Sequence, residues 1–119
     1  MPSYAVQNEI YRKDLLEAEI VFSLPADSSF FLGHFPETPI FAGAFQLQIA
    51  KEIAEKLLEK KLQITRISKA KFTAIIGPDE PVTLSIKLTP APDRHFKIAL
   101  KLKKETESAM TANIIALEI

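Results

Sequence analysis

Cysteine is absent from the 119 residues. That removes disulfide scaffolds, zinc fingers, iron–sulfur centres and thiol nucleophiles from consideration. Histidine is scarce: His34 and His95 are the whole complement, too few for a metal site built from histidine alone. Neither sign of charge is in excess. Fifteen Lys and Arg balance fifteen Asp and Glu, which argues against broad nucleic-acid binding, since that needs many uncompensated phosphate contacts. The same neutrality removes charge repulsion as a guard against self-association. No apolar run approaches the ~20 residues of a membrane span. The first residues hold no cationic stretch followed by an apolar one, so no secretory signal is expected and a cytoplasmic location is.

What is present is a globular balance. Hydrophobic residues make up 47% and charged residues 25%, enough apolar side chains for one core and too few charges for disorder. There is no internal repeat, low-complexity tract or dividing linker, so residues 1–119 are expected to form a single domain.

Ala18, Ile20, Phe22 and Leu24 alternate with polar neighbours, which predicts a half-buried strand. The stretch from Phe30 to Phe41 is apolar but has no period, and Pro36 and Pro39 forbid a regular helix or a central strand there. From Gly43 to Lys60 the apolar residues Phe45, Ile49, Ile53 and Leu57 recur at four-residue steps. This predicts one long helix of roughly 27 Å. Its circumference is largely apolar or small, so it is expected to be buried. Glu52 and Lys56 are placed for an i,i+4 ion pair, and Lys60 and Lys61 suit the negative end of the helix dipole.

Strands follow. Leu62 to Ile76 reads as one extended or bent strand ending at Gly77-Pro78-Asp79-Glu80-Pro81. Val82, Leu84, Ile86 and Leu88 alternate, as do Phe96, Ile98, Leu100 and Leu102, with a turn at Pro90-Ala91-Pro92-Asp93 between them. Ser108 to Ile119 closes the chain as a last strand. Short connections favour antiparallel neighbours, and one sheet against one apolar helix is an α+β layer.

His34 is the promising titratable residue, because Phe30, Phe31 and Phe35 surround it. An apolar setting lowers a histidine pKa and leaves the ring neutral and able to exchange a proton at pH 7. The structural alternative is a histidine satisfied by a backbone carbonyl. His95, beside Arg94, reads as surface or structural. Ala42-Gly43-Ala44 opens the helix, where unpaired N–H groups and partial positive charge suit a carbonyl oxygen that gains charge. Gly43 would let that group approach the backbone closely. The alternative is a plain helix start.

The stretch Gly33-His34-Phe35-Pro36-Glu37-Thr38-Pro39-Ile40-Phe41-Ala42-Gly43-Ala44-Phe45-Gln46-Leu47 resembles the G-H-F-P-x-x-P-I-x-P-G-x-x-Q-L block of the hot-dog-fold 3-hydroxyacyl-acyl-carrier-protein dehydratases. Lys69-Ala70-Lys71-Phe72 and Gly77-Pro78-Asp79-Glu80 resemble that family's K-x-K-F strand and its P-G-D turn, with Gly and Pro exchanged. The resemblance spans nearly the whole chain. It implies a hot-dog fold, with an antiparallel sheet of about five to six strands wrapped around the long helix. It also implies a homodimer, or a higher assembly of dimers, with sites at the subunit interface.

In that reading His34 is the catalytic base and acid, and the Gly43 N–H holds the thioester carbonyl. Phe31, Phe35, Phe41 and Phe45 line an apolar substrate tunnel. The substrate is a 3-hydroxyacyl thioester of lipid or fatty-acid metabolism, borne on the phosphopantetheine of acyl carrier protein or on CoA. The product is a trans-2-enoyl thioester. No metal or redox cofactor is implied.

The chain departs from the pattern at the position five residues after the motif glycine, where the family carries a carboxylate supplied by the partner chain. Here it is Gln48. A carboxamide hydrogen-bonds but does not deliver a proton at neutral pH. Ala42 replaces a proline that would preset the helix start. Glu52 lies one turn beyond Gln48 and substitutes for the missing acid only if the pocket is shifted by a turn; the alternative is a solvated partner of Lys56. Two other activities follow from the same residues. One is a hot-dog thioesterase in which Gln48 and His34 position a water. The other is a non-catalytic acyl-thioester-binding subunit.

Overall fold

The computed structural model describes residues 4–25 and 43–119. The elements run β1 (Ala5–Arg12), β2 (Glu17–Ser23), α1 (Gly43–Leu58), β3 (Leu62–Phe72), β4 (Val82–Ala91), β5 (His95–Lys103) and β6 (Ser108–Glu118). The six strands form one sheet in the order β1-β2-β4-β5-β6-β3, and each pairing is antiparallel. This is the hot-dog architecture: one sheet curved around one helix.

The alternation seen in the sequence sets the two faces. Ile20 and Phe22 of β2, Leu84 and Leu88 of β4, Ile98 and Leu102 of β5, and Ile114 of β6 are all buried. They meet Ile49, Ala50, Ile53, Ala54 and Leu57 of α1 in one core. Thr83, Ser85 and Lys87 and the Lys residues of β5 lie on the opposite face.

Four local findings differ from the sequence expectations. First, β1 precedes the first expected strand. It is an edge strand exposed along nearly all its length, with a register slip between Val6 and Asn8. It therefore carries no half-buried alternation to read. Second, α1 ends at Leu58 and not at Lys60. Glu59 takes a left-handed φ of 57°, and the Lys60 N–H donates to the Glu55 carbonyl at 3.2 Å. This closes the helix with a Schellman motif, without glycine.

Third, the helix ion pair is Lys51–Glu55 at 3.8 Å. Lys60 reaches across to Glu118 at 3.2 Å. Glu52 instead faces Tyr4, whose phenol pKa is raised by burial first and then by the charges of Glu52 and Glu9. Fourth, β4 continues through Pro90 and Ala91. Beyond Lys87 it pairs with β5 alone, so the missing Pro90 N–H breaks no ladder bond to β2. Asp93 and Arg94, both at positive φ (59° and 61°), make the turn, which is the type I′ geometry of tight hairpins.

Candidate functional site

The site is built around the start of α1. Gly43 is its first residue, so the N–H groups of the opening turn have no partners within the helix. The helix dipole adds partial positive charge at that end. The aromatic ring of Phe72, the last residue of β3, lies directly against Gly43. A Cβ added there would sit 2.7 Å from the ring Cζ and 2.8 Å from Cε1. Those distances are too short for any side chain to share the space with the ring. Glycine thus permits this close approach without a special φ, and a side chain there would have to displace the Phe72 ring. Phe72 is itself 46% exposed, so its ring forms an outer wall over the helix start.

Phe72 follows from the strand geometry. β3 pairs with β6 from Leu62↔Glu118 to Phe72↔Met110, which carries its end to the head of α1. After Phe72 the chain leaves the strand, and the Thr73 N–H donates to the Ala109 carbonyl at 2.9 Å. The connection that follows is tied down at three points. The Asp79 N–H donates to the Leu24 carbonyl at 2.7 Å. Glu80 accepts from the Gly77 N–H at 3.1 Å and pairs with Lys104 at 3.0 Å. Lys104 also donates to the Ile75 carbonyl at 2.9 Å. Burial alone would raise the Glu80 pKa, but the hydrogen bonds from Lys104 and the Gly77 N–H, with the Lys104 charge, lower it.

Three of the sequence-predicted site residues are placed. Gly43 is at the helix head, Gln48 is exposed and Glu52 half-buried one turn further on. Gln48 lies off the buried stripe of Ile49, Ile53 and Leu57, so its amide is free to meet something outside this chain's own core. Glu52 turns to the Tyr4 side of the helix. His34, Phe31, Phe35 and Phe41 lie outside the described residues, as does the side chain of Phe45. Sequence reasoning missed Phe72 as a site residue, although the K-x-K-F strand pattern that holds it was the signal. His95 is structural: its Nδ1 lies 3.1 Å from the Pro92 carbonyl, across the β4–β5 turn.

Comparison with known proteins bears on this geometry. The solved structure of the dehydratase heterocomplex ApeI:P from Xenorhabdus doucetiae superposes with a TM-score of 0.83 at 20% identity, covering 95% of this chain and 96% of that one. A hypothetical thioesterase with coenzyme A from Streptococcus pneumoniae superposes with a TM-score of 0.71 at 8% identity, covering 98% and 85%. At these identities the likeness is one of fold. In sequence, the 3-hydroxyacyl-[acyl-carrier-protein] dehydratase FabZ of Chlamydia caviae is 30% identical over 97 residues, which is 72% of this chain and 63% of that protein. The chain thus spans less than two thirds of that relative's length. Residues 10–113 match the ApeI-like group, described as ApeI dehydratase. That match runs from β1 through the helix head and the Phe72 strand end into β6, so this chain belongs to the ApeI-like dehydratase family.

Proposed function

We propose that the chain is a dehydratase subunit acting on a 3-hydroxyacyl thioester, borne by acyl carrier protein or CoA. The observation that carries the reading is the head of α1 under the Phe72 ring, within a chain of the ApeI-like family. The thioester carbonyl oxygen accepts from the Gly43 N–H, so negative charge that develops there is stabilised. His34 removes the C2 proton. The C2 electron pair forms the C2–C3 double bond as the C3–O bond breaks. Hydroxide departs with a proton returned by His34, leaving water and a trans-2-enoyl thioester. Gln48 holds the C3 hydroxyl by hydrogen bond and does not donate a proton to it.

The chain works as a homodimer in this reading. Among the described residues β3 is an edge strand of eleven residues with one neighbour, exposing Ile67 (49%) and Phe72 (46%), and such an edge invites a further strand. Pairing there would bring a second subunit to the helix heads. A second reading is favoured by Gln48 alone: an acyl-thioester-binding subunit without turnover.

Mass spectrometry of a 3-hydroxyacyl thioester incubated with the protein separates these outcomes. Loss of one water supports the dehydratase and free acid marks a thioesterase, whereas bound, unchanged thioester supports the second reading. His34→Ala is expected to lower turnover by about 10²–10⁴-fold with the thermal midpoint retained. Gln48→Glu is expected to raise turnover by about tenfold or more, because a carboxyl beside an apolar tunnel is held in its protonated, donating form.

A further inference from the structure

The exposed cations of the outer sheet face, Arg66, Lys69 and Lys71 of β3 and Lys97, Lys101 and Lys103 of β5, enter no ion pair among the described residues. Lys104, the next residue along, differs from all of them. Its side chain is only 19% exposed. Its ammonium group meets Glu80 at 3.0 Å, the Ile75 carbonyl at 2.9 Å and, more distantly, Glu107 at 3.8 Å. The Lys104 N–H donates to the Glu107 carbonyl at 2.8 Å, which closes the β5–β6 turn that carries the ammonium group. Glu80 also accepts from the Gly77 N–H at 3.1 Å. Charge-assisted contacts of this kind are the strong ones among hydrogen bonds.

What they hold is the connection that runs from Phe72 to Pro81. That connection touches the chain on both sides of the stretch 26–42, which carries His34. At its start, the Phe72 ring lies on Gly43, directly after that stretch. Near its end, the Asp79 N–H donates to the Leu24 carbonyl at 2.7 Å, just before it. Between the two contacts Ile76 is fully buried. Asp79 itself takes a left-handed φ of 59°, which a residue other than glycine keeps only where its surroundings impose it.

β3 alone holds Phe72 loosely. Among the described residues its one neighbour is β6, and its register shifts twice, between Ile64 and Arg66 and between Ile67 and Lys69. The extra residue of each bulge leaves the ladder and bonds through its hydroxyl: Thr65 Oγ1 donates to the Ile115 carbonyl at 3.2 Å and Ser68 Oγ to the Asn113 carbonyl at 2.9 Å. The firm hold on the strand end comes after it. Thr73 donates its N–H to the Ala109 carbonyl at 2.9 Å and its Oγ1 to the Ser108 carbonyl at 2.8 Å, and Lys104 takes the Ile75 carbonyl two residues on.

We propose that Lys104 and Glu80 are positioning residues for the reaction: their clasp on the 72–81 connection fixes Leu24 and Gly43, the two flanks of the stretch that carries His34, relative to each other. Neither residue touches the substrate. The proposal rests on the thioester reading above, in which His34 and the Gly43 N–H act on one substrate. A misplacement of about 1 Å between such groups costs up to about 10²-fold in rate.

Lys104→Met keeps the stem and removes the charge. With a 3-hydroxyacyl group on N-acetylcysteamine, kcat is expected to fall about tenfold to hundredfold with little change in KM, and Lys104→Arg to recover most of it. Lys60→Met removes the ion pair to Glu118 beyond the far end of α1 and should leave kcat unchanged. A second readout needs no turnover. The chain has three glycines, so labelling with [15N]glycine gives a simple amide spectrum. Gly77 reports the clasp directly through its bond to Glu80. Gly43 reports the helix head through the ring current of Phe72 and is assigned with Phe72→Leu. In Lys104→Met both peaks are expected to move, Gly43 towards its position in Phe72→Leu. Glu80→Gln is read in the same way and serves if Lys104→Met fails to fold. If the wild type does not turn over the thioester, the functional reading fails and the glycine spectrum alone decides the clasp. A Gly77 shift with Gly43 unmoved, an unchanged kcat in Lys104→Met beside an active wild type, or an equal loss in Lys60→Met would overturn the inference.

Discussion

Gly43 shows how a single residue can be fixed by a neighbour distant in sequence. Its missing side chain leaves the room that the Phe72 ring occupies. Alanine favours a helix over glycine by up to about 1 kcal/mol, and the ring belongs to an exposed side chain that can swing away. Gly43→Ala is therefore expected to leave the thermal midpoint nearly unchanged while displacing Phe72. A double-mutant cycle with Phe72→Ala should show a coupling of about 0.5 kcal/mol or more; additive effects would mean that the contact is absent in solution. Tyr11 offers the opposite case. Its hydroxyl is buried with no hydrogen-bond partner among the described residues, and burial first, then Glu9 and Tyr4, push its pKa to about 12. Tyr11→Phe removes an unsatisfied polar atom and is expected to raise the urea midpoint, by about 1 kcal/mol in stability. In the wild type the neutral phenol is favoured by folding, so stability declines as pH rises from the ordinary value of 10 through about 12. That decline should be smaller in Tyr11→Phe.

Among the described elements, β3 is held to the sheet along one edge only, by β6. Its two bulges depend on hydroxyls, because the extra residues leave the ladder. Replacing Thr65 by Val and Ser68 by Ala removes both bonds to β6. The pair of changes is expected to cost about 1–2 kcal/mol and to speed amide exchange in β3 ahead of β4 and β5. The segment after β3 is held by Glu80 and Lys104. The Glu80 pKa is lowered in the folded state, so its stabilising contribution is complete above the ordinary value of 4.5 and is lost as pH falls through the lower folded value. Both partners are partly solvated, which limits the effect to about 1 kcal/mol. Glu80→Gln should flatten the acid limb of a stability–pH profile, and an unchanged limb would show that the pair is not formed.

For the molecule as a whole, stability resides in the layer between α1 and the inner sheet face. Ile53 is 1% exposed at its centre. Ile53→Ala is expected to cost about 2–5 kcal/mol, a large part of the roughly 5–15 kcal/mol that holds a domain folded. The outer face contributes little to that balance. Its unpaired cations are retained at some cost in mutual repulsion, and raising salt from low to physiological levels is expected to raise the thermal midpoint slightly by screening them. Light scattering should find a dimer at micromolar concentration; a monomer would count against pairing along β3.

The sequence alone determined the layers. Period-2 alternation in β2, β4, β5 and β6 and the four-residue recurrence in α1 are local consequences of one buried face, so they remain legible without neighbours. The resemblance to the family was equally legible, because it depends on residue types at fixed spacings. Tertiary structure decided what depends on pairing. β1 is a strand because β2 offers it an edge, not because of its own pattern. Phe72 became part of the site because β3 pairs with β6 and ends at the head of α1. Glu52 turned to Tyr4 and left Lys51 and Glu55 to pair. Arg66 shares the outer face with Lys69 and Lys71 because it lies between two bulges that rephase β3. A one-residue shift moves every following side chain to the other face, and no count of charges along the chain contains that shift.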